Sequence, residues 1–219
     1  MYVPQKKILK LLLPFLIIII SVCTLIILTL IYKLYEHPLW IKENGIIETI
    51  SAIAYFLAAL LMILKGGWAY VKEYNYFFIL VIMMGLRELD FDKKFTSMGI
   101  FKSKFYLSHD IAFSEKLIGL FVIIILLYSI ISVITNHAKG FFTHIKNFSS
   151  IHIGILLIIV FAVFSKTIDG IARKLRDFNI ILQEQTVLIF ESIEEILELG
   201  IPLFIISIFL IYHSRNNTF

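Results

Sequence analysis

Four acids, Glu191, Glu194, Glu195 and Glu198, open a stretch that continues as IPLFIISIFLIYH. At about 100° per residue they fall within roughly a 100° arc of one helix, while Ile193, Ile196 and Leu197 point elsewhere. Three further motifs set acids beside bases or hydroxyls. In GLRELDFDKKF, Arg87 precedes Asp90 by three residues and Glu88 precedes Asp92 by four, so on a continuing helix each pair shares a face. In SKTIDGIARKL, Lys166 stands three residues before Asp169 and Arg173 four after it, a spacing that suits a buried Asp–Arg pair. In ENGIIETISAIAYF, Glu48 and Ser51 lie one turn apart, and Glu115 with Lys116 opens a later apolar run.

Carboxylates without neighbouring histidines suit a hard divalent cation such as Ca²⁺, Mg²⁺ or Mn²⁺ better than zinc. On that reading Glu48, Asp92, Glu191, Glu194 and Glu198 are the expected ligands. Closely spaced carboxyls in a poorly solvated pocket also serve as general acids and proton relays, a role expected of Glu195, Asp90 and Glu88 with Arg87 beside them. The plainest alternative is a salt-bridge network that fixes helix packing, with Lys116, Lys166, Asp169 and Arg173 as its ion-pairing members.

The elements that position these groups follow from hydropathy. The chain has 219 residues, 59% of them hydrophobic and 16% charged, with a mean hydropathy of +0.91. A water-soluble globule does not have that composition. Crossing the hydrocarbon core takes roughly 20 apolar residues as a helix, and six segments reach or approach that length, near 8–32, 45–64, 75–91, 116–135, 148–169 and 186–212. Runs such as LLLPFLIIII and LFVIIILLYSII lack the alternation of barrel strands. The expected fold is therefore all-α, a polytopic transmembrane helical bundle of about six spans in one integral-membrane domain.

Trp40, Trp68, Tyr32, Tyr35, Tyr70 and Tyr76 flank the first spans as interfacial anchors. Lys6, Lys7 and Lys10 precede a run longer than a signal-peptide core and without a small-residue cleavage site, so it reads as a retained first helix. Cys23, the single cysteine, reads as a small apolar side chain.

Six spans put all 16 Asp and Glu residues except Glu73 on one side of the bilayer or on helix ends facing it. A charge at the bilayer centre costs about 2.5–3.5 kcal/mol, so the four sixth-helix glutamates together cost on the order of 10 kcal/mol and must face protein, water or an ion. Of the histidines, His37 and His109 fall on the acidic side, whereas His137, His144, His152 and His213 fall opposite. The segment IARKLRDFNIIL has helical apolar spacing and a basic face, as expected of an interfacial helix. The net charge of +4 is spread over membrane loops, which gives nucleic-acid binding no support.

The motifs ENGIIETISAIAYFLAALL, GLRELDFDKKF and ESIEEILELGIPLF, in that order, resemble a group of small uncharacterised bacterial polytopic membrane proteins with acidic motifs in the same places. That resemblance implies a bacterial inner membrane and no particular activity. More loosely, Glu43, Asn44, Glu48 and Ser51 are similar to acidic and serine positions in the first helices of the alkaline ceramidase superfamily of membrane hydrolases, which hold zinc through histidines. This chain departs from that pattern, with Glu191 and Glu195 at the spacing of the last-helix HxxxH.

Three functions remain open on these residues: a membrane-embedded, metal-assisted hydrolase or transferase acting on a lipid or lipid-linked substrate, a proton- or cation-coupled transporter, and a non-catalytic subunit binding a membrane-protein partner or a second copy. Membrane lipids are the expected partners in the first. The N-terminal side carries 8 of the 20 Lys and Arg residues, almost unopposed by acids, so both termini are expected in the cytoplasm.

Overall fold

A computed structural model describes residues 5–41, 45–96 and 98–216. Glu43 and Asn44, which carry part of the ceramidase resemblance, lie outside the described residues. Helices account for 83% of the structure, and no strand occurs among the described residues. The all-α, polytopic architecture expected from hydropathy is what the chain adopts.

The first helix, α1, runs Gln5–Ile31 and leads through a 3₁₀ turn at Leu34–Glu36 and a single-turn helix, α2 (Pro38–Ile41), into α3 (Ile46–Glu73). A break interrupts α3 at Gly67, whose φ of 73° and ψ of 173° are open to glycine and strained for other residues. The chain reverses at Tyr74 into α4 (Asn75–Glu88), then passes through two short helices, α5 (Phe91–Phe95) and α6 (Ser103–Leu107). The remaining long helices are α7 (Phe113–His137), α9 (Ser150–Ile168) and α11 (Glu184–Asn216), separated by α8 (Phe141–Lys146) and α10 (Ile171–Arg176).

Among the described residues, five helices are long and apolar enough to cross a membrane: α3, α7, α9, and the segments Leu12–Ile31 of α1 and Glu184–Arg215 of α11. The third expected span differs. Its helix, α4, has only 14 residues and stops at Glu88, because Asp90 turns into the left-handed region at φ 47° and starts α5 in a new direction. Aspartate tolerates that conformation better than most residues, and no glycine or proline marks the break in the sequence.

Packing is carried by small residues, as expected where lipid tails are as apolar as the side chains and close approach supplies the attraction. Ala54, Ala58 and Ala59 line the buried face of α3. Gly85 sets α4 against it, since a Cβ there would lie 3.0 Å from that of Tyr55. On α9, a Cβ at Gly154 would come within 2.6 Å of Ile208, and on α11 a Cβ at Gly200 would come within 2.7 Å of the Phe161 ring. Glycine at these two positions is what lets α9 and α11 meet. Two apolar clusters fill the middle of the bundle. Tyr55, Ala58, Ala59, Met62, Val81, Ile201 and Phe209 form one. Phe15, Ile18, Val22, Ile47, Ile196 and Phe204 tie α1 to α3 and α11 in the other.

Candidate functional site

Helix direction follows from paired contacts: α3 turns back at Tyr74 into α4 so that Gly85 meets Tyr55, and Gly154 with Ile208 and Phe161 with Gly200 run in opposite order along α9 and α11. Both pairs are antiparallel. The start of α3, the end of α4, the end of α9 and the first half of α11 are thereby brought to one level.

Glu198 stands at the centre of that level. Its side chain is 9% exposed, and Arg87 Nη2 donates to both of its oxygens at 3.0 and 3.1 Å. Lys166 Nζ lies 3.0 Å from Oε1, and Ser165 Oγ donates to the same oxygen at 2.8 Å. One carboxylate thus joins α4, α9 and α11. Lys166 also reaches Glu194 at 3.6 Å and Asp169 at 3.1 Å. Pro202 follows four residues after Glu198 inside α11, and its missing N–H leaves the Glu198 carbonyl without a helical donor. The helix nonetheless runs unbroken through Gly200 and Pro202, so one backbone acceptor is freed beside its most heavily bonded side chain.

More acids surround this knot. Buried Glu88 feels Glu198, Arg87, Glu48 and Lys166. The charged groups acting most strongly on Glu195 are all carboxylates, those of Glu198, Glu48, Glu88 and Glu194. Tyr55, 1% exposed, lies in the field of Glu88, Glu198 and Arg87. Among the described residues, five glutamates from three helices thus share one region with two bases, Arg87 and Lys166, whose side chains are 44% and 47% exposed. Such an excess of carboxylate inside a membrane-embedded bundle calls for protons, a cation or a partner's basic group.

Several expected members stand elsewhere. Because α4 ends early, Asp90 does not share a helix face with Arg87; it pairs with Lys93 at 2.8 Å. Asp92 accepts from the Ile100 amide at 3.2 Å and so holds the loop after α5. Lys116 donates to the Ser108 carbonyl at 2.6 Å rather than to a pocket acid. Asp169 pairs with Lys166 and not with Arg173, which is exposed and folds over Gly170. Glu191, one turn outward on the α11 stripe, is exposed. Ser165 and Tyr55 join the site without standing out in the charge pattern of the sequence. The signals were there: Ser165 directly precedes Lys166 in the last turn of a span, and Tyr55 follows Glu48 by seven residues, on the same helical face.

Among the described residues, no group of three or more His, Cys, Asp or Glu side chains is arranged to hold a metal ion. The Glu198 oxygens already accept from Arg87, Lys166 and Ser165, a donor set unlike the open oxygen shell of Ca²⁺ or Mg²⁺.

The opposite end of the bundle carries a second polar group, mainly aromatic, with one acid, Glu73, acting on Tyr70, Tyr74 and Tyr76. Tyr74 and Tyr212 hydroxyls lie 3.3 Å apart, and the Tyr76 hydroxyl is 2.8 Å from His137 Nε2. Tyr70 packs between Tyr74, Phe209 and Tyr212 with centroids 4.8–5.9 Å away. Nearby, the rings of His144 and His152 stack at 4.4 Å. The apolar cluster around Met62, Val81 and Ile201 fills the bundle between the two ends.

No protein-family model, curated protein or solved structure matches the chain.

Proposed function

We propose that this multi-pass membrane protein is an enzyme of the hydrolase or transferase class acting on a lipid or lipid-linked substrate at one leaflet. The observation that carries the reading is the exposure of Arg87 and Lys166 beside buried Glu198 and the carboxylate of Glu195. A fully internal salt-bridge knot would bury its bases. Here Arg87 uses only Nη2 on Glu198 and offers its other guanidinium donors to a headgroup phosphate or ester oxygen, Lys166 adds positive charge while held by three carboxylates, and Glu195 in the same acidic group would act as general acid or base. Glu198 positions the two bases, and Ser165 holds Glu198.

It also places the chain in a bacterial inner membrane with both termini in the cytoplasm, since Glu73 is the one acid opposing the bases of the N-terminal side.

The test is lipid turnover by the purified full-length protein in liposomes of phosphatidylethanolamine and phosphatidylglycerol, with products followed by mass spectrometry. Glu195→Gln is expected to lower turnover by roughly 10²-fold or more, the usual contribution of a positioned general acid or base. Unchanged turnover in that variant rejects the role of Glu195, and no turnover by the parent protein rejects the enzyme.

A second reading, a non-catalytic subunit, is favoured by the thin cover on α7 and α9. Ile118, Phe121, Ile124, Ile131 and Ile134 on α7 and Val163 and Phe164 on α9 are all exposed, room enough for a partner helix or a second copy. The apolar cluster between the two polar ends speaks against a transport path.

A further inference from the structure

We infer that the seam between α4 and α7 holds one hydrocarbon chain of a phospholipid whose phosphate reaches Arg87. The inference rests on the lipid-directed reading of that end of the bundle and adds to it where the tail of the lipid goes.

A cavity of about 530 Å³ opens between these two helices, in the volume range of small-molecule sites. Ile79, Ile82 and Met83 of α4 form one wall, and Ile124 and Ile125 of α7 the other. Tyr128 lines it toward the aromatic end, where its hydroxyl donates to Asn75 Oδ1 at 2.8 Å and bridges the two helices. Beyond that bridge Tyr76 and His137 join α4 to α7 a second time, at 2.8 Å. The walls are aliphatic and aromatic, so whatever touches them is apolar.

Width and register select the occupant. A helix with its side chains is about 10–12 Å across, and two helices already joined by side-chain hydrogen bonds leave no such gap between their walls. A third helix can lie over the seam but not in it, whereas a single hydrocarbon chain can enter. Ile79, Met83 and Arg87 follow one another at four-residue intervals on one stripe of α4. From Ile79 to Arg87 the helix rises about 12 Å, within the roughly 15 Å that the hydrocarbon of one leaflet occupies. A chain laid along this stripe therefore carries its headgroup to the level of Arg87, whose side chain is 44% exposed and bonds Glu198 through Nη2 alone. Inside a bilayer, entering the seam exchanges one set of apolar contacts for another, so the walls by themselves hardly choose between lipids. The choice falls to the guanidinium, which pairs with a phosphate through two parallel charge-assisted bonds, a fit that no uncharged headgroup offers.

The test places the full-length protein in liposomes with a trace of phosphatidylglycerol carrying a photoactivatable group on one chain, and maps the labelled residues by mass spectrometry. Labels are expected to gather on Ile79, Met83, Ile124 and Ile125 over Leu127 of α7 and Val163 and Phe164 of α9, exposed apolar residues that do not line the cavity. The expected excess is roughly tenfold, about 1.4 kcal/mol. Diacylglycerol with the same labelled chain has no phosphate and should not show that excess, and Arg87→Gln should remove it for the phospholipid. Ile79→Trp fills the seam and should return Ile124 and Ile125 to the level of Leu127. If either variant does not fold, the comparison of the two probes on the parent protein decides the point. Labels spread evenly over the exposed apolar residues overturn the inference, and so does equal seam labelling by both probes. Seam residues that escape the label while Leu127, Val163 and Phe164 take it show that a partner helix or a second copy covers the seam, and overturn it too. Turnover measured in the same liposomes keeps the two readings apart. A seam excess without turnover leaves this site standing and removes the enzyme, and turnover without the excess does the reverse.

Discussion

The two ends of the bundle are built from the same helices by opposite means. At one end α4 and α11 meet through Arg87 and Glu198, with Lys166 and Ser165 of α9 joining them. At the other, α4 and α11 approach through Tyr76, Tyr74 and Tyr212, with His137 of α7 completing the group. The aromatic end offers rings with hydroxyl tips, which suit a membrane interface on either side of the headgroups. The charged end keeps ions inside a bundle where they cost several kcal/mol each to desolvate. Anchoring needs only the first arrangement. The second is built where a protein has a use for charge, and the difference between the ends is the main reason for placing function at the Glu198 end.

That contrast can be broken from the charged end first. Glu198→Ala is expected to lower stability by roughly 3 kcal/mol, because Arg87 and Lys166 lose their shared partner, and their partial exposure keeps the figure near the low end for broken buried pairs. Thermal unfolding in detergent would show it, and a loss under about 1 kcal/mol would mean that the three helices do not depend on this carboxylate. Gly200→Ala should follow at roughly 1–3 kcal/mol, since the added methyl meets Phe161 and pushes α9 off α11; the same unfolding measurement applies, with Gly67→Ala as a control of different cause, backbone strain rather than contact. Ser165→Ala removes one charge-assisted bond and should cost about 1.5–2 kcal/mol. Tyr74→Phe sits at the bottom of the scale, at about 0.5–1 kcal/mol, since its bond to Tyr212 is long at 3.3 Å and its other partner, Glu73, is the last residue of α3 and next to it in the chain. If the tyrosine change proved as damaging as the Glu198 change, the two ends would be equivalent structural clamps and the argument from their difference would fail.

How much of this was legible beforehand depends on the range over which each feature is determined. The apolar runs of α1, α7 and α9 are local and stand out by composition. The convergence of Glu48, Arg87, Glu88, Lys166, Glu194, Glu195 and Glu198 follows from alternating helix direction, which short loops impose. Asp90, Asp92, Lys116 and Arg173 look equally charged in the sequence but are taken up by turns and loop carbonyls. What separates them is where α4 stops, and a left-handed aspartate is not a signal that periodicity can read. The aromatic end was hidden for another reason. Tyr74, His137 and Tyr212 are distant in the chain, and each taken singly reads as an ordinary interfacial anchor.

The shortness of α4 has a further outcome for the surrounding bilayer. Its 14 residues rise about 21 Å, against a hydrocarbon thickness of roughly 30 Å. A helix this short does not cross the hydrocarbon core by itself, and a bilayer accommodates such a mismatch by thinning or by admitting water at the helix end. Arg87 is in the last turn of α4, so the ion pair with Glu198 stands at the end of the shortest of the long helices.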